Sequence, residues 1–143
     1  MKIIFILFIL IFSKIANAEN LNFKKLLDLK DPWGSTFIDA NNLLITEKGG
    51  AIKLINIDNQ DIKIINHNLN FLEYGQGGLL DILFHKNFVY ISYSENRGNW
   101  KASTSIARAK FDKKNLVFKN IFQANPPIDS GYHFGSRLAI KDN

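Results

Sequence analysis

The chain contains no cysteine. That excludes a disulfide framework and thiolate metal sites, so any fold must be held together by packing and hydrogen bonds alone. Arginine is almost as scarce: only three of the 18 basic residues, the rest being lysines scattered singly among Asp and Asn. With no basic stripe and no aromatic platform beside one, no nucleic-acid partner is expected. Long apolar runs are limited to Ile3 to Phe12, "IIFILFILIF", between Met1-Lys2 and "SKIANA". This run is too short to span a bilayer. A basic start, an apolar stretch and an Ala16-Asn17-Ala18 ending read as a secretory signal rather than an anchor. The expected mature chain starts at Glu19, is periplasmic or secreted, and has no membrane partner once the signal is cleaved.

Removing 18 of the 143 residues leaves 125, enough for one modest core. The formal charge falls from +5 to +3 with the loss of Lys2 and Lys14, because all 13 acids lie beyond residue 18. Helical periodicity is missing from this mature part. Residues 21–30, "LNFKKLLDLK", fit a turn of helix or an incoming strand equally well.

What fills the chain instead is a series of short β segments. They are "WGSTFI" (33–38), "NLLITE" (42–47), "AIKLINI" (51–57), "IKIIN" (62–66), "LLDILF" (79–84), "FVYISYS" (88–94), "TSIARAKF" (104–111) and "LVFKNIFQ" (116–123). β-branched and aromatic residues dominate, and Asn-Asn, Gly-Gly, Asn-Arg-Gly and Asp-Lys-Lys-Asn break them. In 51–57, Ile52, Leu54 and Asn56 alternate with Lys53, Ile55 and Ile57. Such spacing suits a sandwich, a barrel or a propeller. The form strand, Asn-rich turn, strand, Gly-Gly turn, strand in "FIDANNLLITEKGGAIKLIN" recurs about 45 residues later, the period of a propeller blade. In that second copy "FDKKN" is expected to close a hairpin. An all-β, partial β-propeller of two to three blades is the expected fold, and 19–143 is expected to be its N-terminal part.

The candidate chemistry is concentrated in two places. In "SGYHFGSRL" (130–138), His133 lies between Tyr132 and Phe134; it is either a packed histidine at a strand entrance or a proton-transfer group. In "YGQGGLLD" (74–81), Gln76 is either an exposed residue of a glycine-rich turn or a neutral ligand-binding amide. The glycines Gly75, Gly77 and Gly78 would let backbone approach a flat ligand. His67 reads as a solvated turn residue and His85 as a strand end, and with His133 distant from both, no zinc site is expected. "DNQD" (58–61) lacks the spacing of a Ca²⁺ loop and reads as a hairpin turn. Arg137 is expected to pair with backbone carbonyls or Asp129, and Trp33 and Trp100 to pack at the core or rim.

"PWGSTFIDANNLLITEKGGAIKLI" (32–55), "GQGGLLDILFHKNFVYISYSE" (75–95) and "TSIARAKF…LVFKNIFQANPPIDSGYHFGSRLAI" (104–140) together resemble the soluble PQQ-dependent sugar dehydrogenases, the glucose/sorbosone or aldose sugar dehydrogenase family. The resemblance runs in order from Pro32 to Ile140. It implies a six-bladed propeller that holds pyrroloquinoline quinone (PQQ) near its axis beside Ca²⁺ and oxidises a sugar at its anomeric hydroxyl. By the same resemblance, His133 is the general base and Gln76 lines the pocket of cofactor and sugar; Tyr132, from its place beside the base, is expected to face the sugar. The electron acceptor stays open.

The chain departs from the family pattern at "HKNF" (85–88), where the family has His-Pro-Asp-Phe and a longer loop. The family's Gly-Asp turn that orients the base, its Ca²⁺ ligands and the basic residues for the cofactor's carboxylates all fall beyond Asn143. The alternatives are an exported, non-catalytic propeller that binds carbohydrate or protein, and an incomplete reading frame.

Overall fold

The computed structural model describes residues 22–141; the expected signal segment and its cleavage site lie outside the described residues. These residues form strands β1 (Pro32–Phe37), β2 (Asn42–Glu47), β3 (Ile52–Asn56), β4 (Ile62–His67), β5 (Leu79–His85), β6 (Phe88–Asn96), β7 (Ala102–Lys110), β8 (Asn115–Leu116) and β9 (Lys119–Gln123), with no helix among them. No helix among the described residues is long and apolar enough to cross a membrane. Residues 22–30 are neither helix nor strand, so both expectations for that stretch give way to coil.

Two antiparallel meanders account for nearly all of the strands. β1-β2-β3-β4 form one, and β5-β6-β7-β9 the other. Leu79 opens the second 47 residues after Pro32 opens the first, and the leading strands β1 and β5 lie side by side. These are two successive blades of a β-propeller, packed face to face.

Local chemistry sets each turn. The Asp39 carboxylate accepts from the Asn41 and Asn42 backbone N–H groups at 2.9 and 2.8 Å, reversing the chain between β1 and β2. Asn56 does the same for Asp58 and Asn59, which makes "DNQD" the hairpin turn expected. Between β5 and β6, Lys86 and Asn87 both take positive φ (46° and 65°), so His85 pairs directly with Phe88 across a two-residue turn. The shortened "HKNF" loop is that turn.

Between the blades lies one apolar cluster. Leu44, Ile52, Leu54 and Ile65 of the first blade join Val89, Ile91, Tyr93, Ala107 and Ala109 of the second. Each fully buried aliphatic side chain contributes about 1.5–3 kcal/mol. The alternation read in 51–57 holds in register, with Ile52 and Leu54 opposite Thr46 and Leu44. The opposite face is covered as well: Ile55 is fully buried, and Lys53 reaches the Glu47 carboxylate at 2.6 Å.

Three expectations are corrected here. "LVFKNIFQ" is two strands, not one. β8 pairs in parallel with the end of β4 in the first blade, and β9 pairs with β7 in the second. The Asn68 side chain causes the break, accepting from Phe118 N–H (2.8 Å) and donating to Phe118 C=O (3.1 Å) in place of a strand neighbour. "FDKKN" therefore turns the chain across to the other blade rather than closing a hairpin. His67 is not a solvated turn residue: its Nε2–H donates to Gly50 C=O at 2.7 Å and its Nδ1 accepts from Leu69 N–H, tying the end of β4 to the β2–β3 turn.

Candidate functional site

The link from β4 to β5 carries "GQGG", and three of its four N–H groups are bonded. Gln76 N–H donates to Gly131 C=O at 2.6 Å, Gly77 N–H to Tyr74 C=O at 2.8 Å, and Gly78 N–H to Ser94 Oγ at 2.7 Å. Gly75 sits at φ +58°, and a Cβ there would land on the Gly131 carbonyl, 2.8 Å from the Gly131 Cα. The close approach that glycine permits here is thus to another backbone segment.

The partner segment is 131–141, which runs past β5 without a strand partner of its own among the described residues. Besides the Gln76–Gly131 bond, four contacts seat it. His133 N–H donates to Gln76 Oε1 at 3.0 Å. Ser136 C=O accepts from the Ser92 hydroxyl at 2.6 Å. Leu138 N–H donates to Asp81 Oδ2 at 2.7 Å, and Arg137 Nη1 to Asp81 Oδ1 at 3.1 Å. Asp81 is 3% exposed, so both of its oxygens need partners, and it has them.

"PWG" backs onto the same place. A Cβ at Gly34 would lie 2.7 Å from the Asp81 Cα and 2.8 Å from the Ile82 nitrogen. Thr46 binds the layers together, accepting from Gly34 N–H at 3.0 Å and donating to Leu80 C=O. The three segments that carry the family resemblance therefore stack in sequence: β1 on β5, and β5 on residues 131–138.

Of the expected site residues, Gln76 and His133 are joined directly, and Tyr132 is their neighbour. All three side chains are exposed. His133 takes φ +67°, a left-handed conformation uncommon outside glycine, and its ring is tilted against Tyr132 at 6.4 Å. A hollow of about 120 Å³ opens beside it, bounded by Thr104, Pro126, Ile128 and Phe134. His133 is thus exposed among the described residues, with Tyr132 against its ring and Phe134 lining the same hollow. Arg137 pairs with Asp81, not with Asp129. Trp33 is half exposed and Trp100 mostly so, which places both at the rim.

Sequence reasoning missed Asp81. A signal was present: an acid inside the apolar strand "LLDILF" must find partners or stay out of the core. No group of three His, Asp or Glu side chains among the described residues could hold a metal ion.

Comparison with known proteins agrees with this arrangement. A family model described as glucose/sorbosone dehydrogenase matches residues 29–143. The aldose sugar dehydrogenase YliI of Escherichia coli is 30% identical over 135 residues, covering 87% of this chain and 36% of that protein. A crystal structure of a glucose dehydrogenase superposes with a TM-score of 0.75 at 32% identity, covering 80% of this chain and 36% of that one. The PQQ-bound aldose sugar dehydrogenase of Streptomyces coelicolor shares the fold, with a TM-score of 0.65 at 20% identity over 77% of this chain and 34% of that one. The chain thus spans about a third of the length of these relatives. It belongs to the glucose/sorbosone dehydrogenase family.

Proposed function

We propose that these residues are the N-terminal blades of an exported, periplasmic or secreted, PQQ-dependent aldose sugar dehydrogenase, with His133 as its general base. One observation carries the reading. His133 holds an exposed imidazole on a left-handed backbone, where residues 131–138 meet the Gly-Gln-Gly-Gly link through Gln76. Such a conformation costs on the order of 1–3 kcal/mol in a non-glycine residue and concentrates at functional sites.

The residues present fit one edge of a quinone and a sugar. Gln76 presents a neutral amide NH₂ to a quinone or hydroxyl oxygen, and Tyr132 a phenol to the sugar. When bound, PQQ supplies the two-electron acceptor for the hydride that leaves the sugar's C1. The imidazole of His133 takes the proton from the anomeric hydroxyl oxygen as that hydride departs. Tyr132, beside it, contributes a polar wall that orients the sugar. Ca²⁺ would be held by residues outside this chain, as the family resemblance implies.

The test uses the full-length protein reconstituted with PQQ and Ca²⁺, following sugar-dependent dye reduction. His133→Asn should lower kcat by about 10²–10⁴-fold, the usual contribution of a positioned base. Undiminished turnover in that variant, or sugar binding without turnover in the parent, removes the assignment.

A further inference from the structure

We infer that Gln76 is a positioning residue, its side-chain carbonyl holding the backbone of His133 in the conformation that aims the imidazole. The inference rests on the general-base reading only for the purpose of the aiming; the link itself stands on geometry. Gln76 and His133 lie 57 residues apart, yet the Gln76 Oε1 accepts from the His133 N–H at 3.0 Å.

A backbone N–H can only donate, so the amide of Gln76 must turn its oxygen inward. That fixes the orientation of the whole group and leaves its NH₂ outward as a donor. Gln76 cannot drift, because its own N–H is committed to Gly131 C=O at 2.6 Å, two residues before His133. The two bonds form a short closed bracket: Gln76 holds residue 131 by its backbone and residue 133 by its side chain.

His133 needs such a bracket. At φ +67° its preferred alternative is an extended backbone. A relaxed φ would swing the Cα–Cβ bond and with it the exposed ring. Tyr132 N–H is turned toward Ser130 Oγ at 3.2 Å, and nothing on its own element holds His133 N–H. The restraint has to come from the neighbouring blade link.

The experiment is hydrogen exchange of the full-length protein without cofactor, read by mass spectrometry on the peptide covering residues 131–136. Gln76→Met removes the acceptor, Gln76→Lys does so while keeping a polar side chain should the Met variant fail to fold, and Gln76→Glu restores a carboxyl oxygen. Exchange at this peptide should rise about fivefold in the Met or Lys variant, the size one hydrogen bond supports. It should return toward the parent rate in the Glu variant. Equal exchange in all forms, or no rescue by Glu, overturns the inference. Dye reduction reads the catalytic assignment separately: exchange behaving as stated without any sugar-dependent activity in the parent leaves the bracket standing and removes the base.

Discussion

At the scale of single residues, the polar groups with two partners are the ones that organise the molecule. Glu47 is an example away from the site. Its carboxylate is buried, accepts from Lys53 Nζ at 2.6 Å, and accepts from Lys30 N–H at 2.7 Å, so it fastens the incoming coil to β2 and β3. Burial alone would raise its pKa, but the two hydrogen bonds together with the positive charges of Lys53 and Lys30 outweigh it and hold the group below the ordinary glutamate value. A folded-state pKa below the unfolded one adds stability that is present above the unfolded value and lost as pH falls through the folded value. Glu47→Gln should therefore cost about 1–3 kcal/mol at neutral pH in urea unfolding. The gap between variant and parent should narrow once the pH drops below the ordinary carboxylate range. A gap that stays constant down to acid pH would show that the charge is immaterial. Residue roles were legible unevenly: His133 and Gln76 stood out by motif, but that one bonds the other's backbone could not be read across 57 positions.

Elements were the most legible scale, and their few misreadings have a physical cause. Strands such as Asn42–Glu47 lie where alternation and turn residues put them, because short-range propensity and side-chain period act within one segment. "LVFKNIFQ" looked continuous for the same reason; only Asn68, from a distant loop, reveals the break at Phe118. The segment 131–138 behaves likewise. Its seat on β5 depends on Asp81, whose oxygens hold the Leu138 N–H and the Arg137 guanidinium. Arg137 is largely exposed, so the ion pair itself contributes little, and the anchored backbone N–H matters more. Asp81→Asn leaves one acceptor oxygen for two donors. Tryptic cleavage at the Arg137–Leu138 bond should then become about tenfold faster or more, as expected from losing about 1.5–3 kcal/mol of charge-assisted bonding. An unchanged cleavage rate would mean that other contacts hold the segment.

For the whole molecule, the arc of blades leaves apolar side chains facing water. Ile62 and Ile64 are exposed on β4, and Ile121 and Phe122 on β9, each the last full-length strand of its meander. Exposed apolar edge strands template further pairing. Expressed from Glu19 to Asn143 alone, the chain should self-associate or remain partly unfolded in sedimentation and melting experiments. A monomer with one sharp cooperative transition would contradict that. The amino-acid sequence by itself determined the all-β class, the blade period, nearly every strand and the three motifs, because propensity, alternation and turn chemistry are local. Only the tertiary structure decided that Gly75 meets Gly131, that Asp81 seats residues 137 and 138, and that Gln76 holds His133. Those pairings join segments 56 or 57 residues apart, and they exist only once the packing of the blades has brought the backbones within hydrogen-bond reach.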